Sequence, residues 1–97
     1  MTILLKKFGT TLISRQAGKE AYAALQPLIR GASGVEIIEV DFDGVVTFSP
    51  SWGAEFLLPL IDERKELVVL RNTQNVSVRA SLKLLQDVEK KSFNVAG

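Results

Sequence analysis

Apolar positions along the chain follow two rhythms, short strand-like runs and longer runs at helical spacing. Ile3-Leu4-Leu5-Lys6-Lys7-Phe8 reads as a first strand, stopped by Gly9. The β-branched run from Thr10 to Ile13 adds a short second strand, so the two predict a hairpin around Gly9. Ser14 is placed to cap a helix from Arg15 to about Ile29, along which Ala17, Ala21, Ala24, Leu25 and Leu28 form a narrow apolar face. Pro27 lacks an N–H and crowds the carbonyl of Ala23, which predicts an irregular last turn. Gly31-Ala32-Ser33-Gly34 follows this helix, whereas a nucleotide-binding loop precedes one, so it reads as a connector.

The alternation then repeats. Val35 to Phe42 predicts a strand whose Glu39 and Asp41 share a face with Ile37 and Val35, so that face is partly open or the acids lie near its end. Asp43-Gly44 signals a turn. Val45-Val46-Thr47-Phe48 leads into Ser49-Pro50-Ser51 and a second helix to about Arg64. That helix is apolar on two stripes, Ala54-Leu57-Leu58-Ile61 and Phe56-Leu60. Such breadth means deep packing or a face offered to a partner. Leu67 to Leu70 reads as an interior strand covered on both faces, or a parallel one. Val78, Leu82, Leu85 and Val88 define a last helix reaching about Lys90, and residues 92–97 read as a flexible tail. The order predicts an α/β domain spanning 1–97, a mixed sheet of about four strands with about three helices mostly on one face.

Composition narrows the chemistry. At 46% hydrophobic and 24% charged, the chain is of ordinary globular make-up. Twelve basic and eleven acidic residues give a net charge of +1, with only Lys6-Lys7 and Lys90-Lys91 as basic pairs. That is too dilute for the counterion-displacing face that nucleic acids require. Cys and His are both absent, which removes thiol nucleophiles, His-based triads and Cys/His metal sites. The expectation is of no catalytic residue, no metal and no cofactor. The apolar run after Met1 is too short for a signal peptide, and no run approaches the roughly 18 apolar residues of a membrane span. A cytoplasmic protein without a membrane or nucleic-acid partner is expected.

The segment Asp41-Phe42-Asp43-Gly44-Val45-Val46-Thr47-Phe48-Ser49-Pro50-Ser51-Trp52-Gly53-Ala54-Glu55-Phe56 resembles the central signature of the STAS-like domains of unknown function. There an acidic-aromatic strand end and a hydrophobic turn precede a serine, and an aromatic, a small and an acidic residue open a helix. Phe8-Gly9-Thr10-Thr11-Leu12-Ile13-Ser14-Arg15 is similar to the same family's first hairpin and helix start. The wider STAS superfamily includes anti-sigma-factor antagonists, which bind a kinase-like ATPase and are switched off by phosphorylation of a serine at the start of their second helix. The resemblance implies that Ser51 is the modified position, with Ser49 the secondary candidate. The antagonists usually carry an aspartate before that serine and a second serine after it, where this chain has Pro50 and Trp52.

Read from the residues alone, Ser49 is an N-cap, Pro50 suits the first helical position and Glu55 complements the helix dipole. Trp52 is either core or an interface anchor. The expected docking set is Ser49, Pro50, Ser51, Trp52, Glu55 and Phe56. Glu36, Glu39, Asp41 and Asp43 form an acidic run, but no nucleophile or base accompanies them in sequence. Three readings follow: a non-catalytic protein-binding regulatory module, a structural subunit that homodimerises through its second helix, and, disfavoured by the missing His and Cys, a small enzyme.

Overall fold

The computed structural model describes residues 1–96, and the last position of the expected tail, Gly97, lies outside the described residues. The described residues form six strands and three α-helices: β1 (Thr2–Leu4), β2 (Thr11–Leu12), α1 (Arg15–Gly31), β3 (Ile38–Asp41), β4 (Thr47–Phe48), α2 (Pro50–Arg64), β5 (Val68–Arg71), α3 (Val76–Glu89) and β6 (Asn94–Ala96). The α/β class with three helices and a four-stranded main sheet is as the sequence predicts. The sheet runs β1-β3-β5-β6 and β2 pairs β4 separately. Every pairing is parallel, so the sheet is not mixed.

The expected hairpin around Gly9 does not form. A 3-10 turn over Leu5–Phe8 carries the chain away, with Gly9 at φ 126°, and β1 and β2 join different sheets. Their partners come from β3 and β4, more than thirty residues on. Both ladders are closed by crossovers through α1.

One face of the main sheet is core. Ile3, Ile38, Val40, Val68 and Leu70 are buried there, while Thr2, Glu39, Asp41, Val69 and Arg71 on the opposite face remain at least partly exposed. Leu67 to Leu70 is therefore covered on one side only, and Val35 and Ile37 are exposed ahead of the shortened β3. The open face is tolerable because it is polar, with Arg71 paired to Glu39 and Asn72 donating to Asp41 at 2.7 Å.

Helix α2 lies between α1 and α3 and explains its own apolar breadth, since Trp52, Gly53, Phe56, Leu57 and Leu60 are all buried. The buried stripe of α1 is Gly18, Ala21, Leu25 and Ile29, one step round from the expected alanine face, and the helix continues through Pro27. Arg64 at the end of α2 donates to the Ile29, Ala32 and Ser33 carbonyls and satisfies the C-terminus of α1. The tail expected from residue 92 is instead ordered: Phe93 is buried, its N–H bonds the Gln86 side chain at 2.8 Å, and β6 follows.

Candidate functional site

Strand β4 fixes where α2 begins, and both its edges are occupied. On one side Val46 and Thr47 donate to the Thr10 carbonyl, and Ser49 N–H donates to Leu12 at 2.9 Å. On the other, side chains of α3 stand in for a neighbouring strand. The Ser77 hydroxyl accepts from Phe48 N–H at 2.9 Å and donates back to its carbonyl at 3.1 Å, while Ser81 donates to that carbonyl at 2.6 Å. Asn75 Nδ2 donates to the Val45 and Val46 carbonyls. A two-residue strand is thereby held as firmly as an interior one.

All three helices start at this end of the molecule. Ser14 Oγ accepts from Ala17 N–H, Ser49 Oγ from Trp52 N–H and Asn75 Oδ1 from Val78 N–H, each an N-cap bond of 3.0–3.2 Å. Ser49 also donates to the Ile13 carbonyl at 2.6 Å, tying the α2 start to the segment that enters α1. Pro50 then occupies the first turn, where its missing N–H costs nothing. Ser51 follows, partly exposed, and its hydroxyl has no hydrogen-bond partner among the described residues. One turn on, Glu55 accepts from Arg15 Nη1 at 2.9 Å, joining the first turns of α1 and α2 across their surface.

The expected docking set divides here. Trp52 is 1% exposed and Phe56 fully buried. Their rings stack at 4.8 Å, and Phe48 meets Trp52 edge-on at 5.8 Å. Helical rotation explains it: the residue after Ser51 turns about 100° toward the α1 contact. Trp52 and Phe56 therefore present no side chain to a partner, which corrects both assignments and leaves Ser49, Pro50, Ser51 and Glu55 at the surface. Burial likewise removes Phe56 and Leu60 as the contact of an α2-mediated homodimer. What the sequence reading missed is an apolar rim: Ile13 (51% exposed), Val46 (61%) and Val76 (80%) belong to the three segments that these bonds draw together. The signal was present for Ile13, in the period-two alternation of Leu12 in and Ile13 out, but not for Val46, since Phe48 two residues on is buried.

The acidic run is accounted for by pairing. Arg71's hydrogen bond lowers the Glu39 carboxyl below its ordinary range, and a bond from Asn72, then one from the Asp43 N–H, does the same for Asp41. Groups held ionised in this way are poor proton donors at neutral pH. Among the described residues no three His, Cys, Asp or Glu side chains come together to hold a metal ion, and no helix is long and apolar enough to cross a membrane. The chain matches no family model, no curated protein sequence and no solved structure.

Proposed function

We propose that this chain is a non-catalytic protein-interaction module of cytoplasmic regulation, docking a partner at the end where α1, α2 and α3 begin. The observation that carries this reading is the setting of Ser51, a partly exposed serine with an unengaged hydroxyl on a helix start held from both sides. On the segments that these bonds draw together, Ile13, Val46 and Val76 are apolar side chains left in water at the surface of a folded domain. The STAS-like resemblance supplies the partner class, a kinase-like ATPase, and the switch, a phosphate on Ser51.

Such a phosphate adds about −1.5 to −2 charges beside the positive end of α2. It favours the helix locally, so inhibition comes from altering the surface and not from unfolding. Glu55 lies four residues on, on the same side of α2, and holds Arg15. A phosphate on Ser51 competes with Glu55 for that guanidinium and repels acidic groups of a partner. Titration of the chain by calorimetry against a kinase-like ATPase encoded beside it tests the reading. Ser51→Ala retains binding, whereas Ser51→Asp and Val46→Asp each weaken it by about tenfold or more. Undiminished binding by both acidic variants removes this surface from the interface.

A further inference from the structure

Strand β6 ends the sheet, and among the described residues nothing pairs with its outer edge. Beside it, on the helix side, runs a groove of about 600 Å³ between β6 and the first turns of α3. Its apolar floor includes Val95, Leu82, Ala80 and Val76, with Val95 46% and Val76 80% exposed. Its rim carries Arg79 and Lys83, and among the described residues no carboxylate lines it. Arg79 pairs with no acid among the described residues, and Lys83 has only the exposed Asp87 one turn along its own helix. The opposite edge, at β1 against α1, has a groove of only about 110 Å³, with Lys7 as the one cationic side chain among the described residues that line it.

We propose that the α3–β6 groove receives an extended segment of another protein, added to the sheet as a further strand beside β6, whose helix-side residues, every second one along it, include both apolar and acidic side chains. The physical requirements fit together. A free edge offers backbone N–H and C=O groups that only an extended chain can satisfy in series. An added strand lies about 4.8 Å beyond β6, and every second side chain then points to the helix side, against Val95, Val76 and Ala80. Carboxylates among those same helix-side positions, toward the groove's rim, meet Arg79 and Lys83. A second copy of this chain is the poorer occupant, because β6 against β6 brings two Arg79–Lys83 pairs together across the new ladder. The site lies at the α3–β6 edge, and its occupation does not require Ser51.

Two capped seven-residue peptides test this, both with threonine at every second position, the positions between carrying valine and glutamate in one and valine and lysine in the other; binding is followed by amide chemical-shift mapping of the intact chain. The acidic peptide is expected to shift Asn94, Val95, Ala96 and residues 76–83, and to bind roughly tenfold more weakly to Arg79→Glu/Lys83→Glu. That double variant is expected to accept the lysine peptide instead. Both substitutions are at exposed positions, so an unchanged melting temperature shows the fold intact. N-methylating the backbone along one edge of the acidic peptide is expected to abolish binding. Equal binding of both peptides, shifts confined to Ser49–Ser51, or survival of binding after N-methylation overturns the proposal. So does self-association that protects the β6 amides, which makes a second copy the occupant.

Discussion

Gly18 of α1 lies against the main chain of Trp52 in α2: a Cβ built on Gly18 stands 2.5 Å from the Trp52 carbonyl oxygen and 3.0 Å from its Cα. Both atoms are backbone and cannot swing aside, so any side chain here must push the two helices apart. Overpacking of this kind costs about 1–3 kcal/mol, against a helix-propensity gain of about 0.5–1 kcal/mol for replacing glycine. Gly18→Ala is expected to lower the melting temperature by roughly 5–15 °C. Gly31→Ala is the control, since a Cβ there meets nothing within 4 Å. It is expected to be neutral or slightly stabilising in the same thermal melt.

Trp52 reports on this contact directly. Enclosed by Phe8, Phe48 and Phe56, its indole is expected to emit at blue-shifted wavelengths and to resist iodide quenching until the chain unfolds. Trp52→Ala removes a fully buried aromatic at a typical cost of about 3–5 kcal/mol, a large part of a small domain's stability. Its effect on any partner is then an effect on folding. Ready quenching of the native emission shows the burial to be wrong.

How much of this was legible in the sequence depends on how local each cause is. The helix starts at Ser14 and Ser49 were readable because a cap and the periodic run after it lie within a few residues. Strand partners were not, because neighbouring β1 and β2 suggest a hairpin while their actual mates lie beyond α1. Gly18 reads in isolation as a weak spot in a helix, and only the approach of Trp52 gives it a purpose. The sequence leaves Trp52 as either core or an interface anchor, and one residue of helical rotation from Ser51 decides for the core. In β6, three residues among Ser and Asn carry too little pattern to register, and Phe93 is what anchors them.

Ser77 and Ser81 both donate to the Phe48 carbonyl, but only Ser77 also accepts from its N–H. Removing Ser81 leaves that carbonyl one donor, so Ser81→Ala is expected to cost about 1 kcal/mol. Removing Ser77 leaves the Phe48 N–H without its partner, and Ser77→Ala is expected to cost about 2–3 kcal/mol. Urea unfolding of the two variants checks the order. Amide exchange checks the mechanism, because Phe48 N–H protection falls in Ser77→Ala and persists in Ser81→Ala.

Stability should fall in acid, and the sign follows from the paired carboxylates. Glu39 and Asp62 are lowered chiefly by hydrogen bonds from Arg71 and Lys91, and Asp41 by its bond from Asn72. A carboxyl whose folded pKa lies below its unfolded value binds protons more readily once unfolded. Its stabilising contribution is complete above the unfolded value, 4.5 for Glu39 and 3.8 for the two aspartates, and is lost as pH falls through the lower folded value. Asp62 is exposed and Glu39 and Asp41 are partly so, and screening keeps each effect small and the decline gradual. Urea midpoints measured from about pH 6 down to about pH 2.5 are expected to drop below about pH 4.5. Glu39→Gln, which cannot titrate, is expected to flatten part of that decline, and Arg71→Gln to flatten it similarly by returning Glu39 toward its ordinary value. An unchanged pH profile in both variants shows that the Arg71–Glu39 pair on the open face contributes nothing to folding.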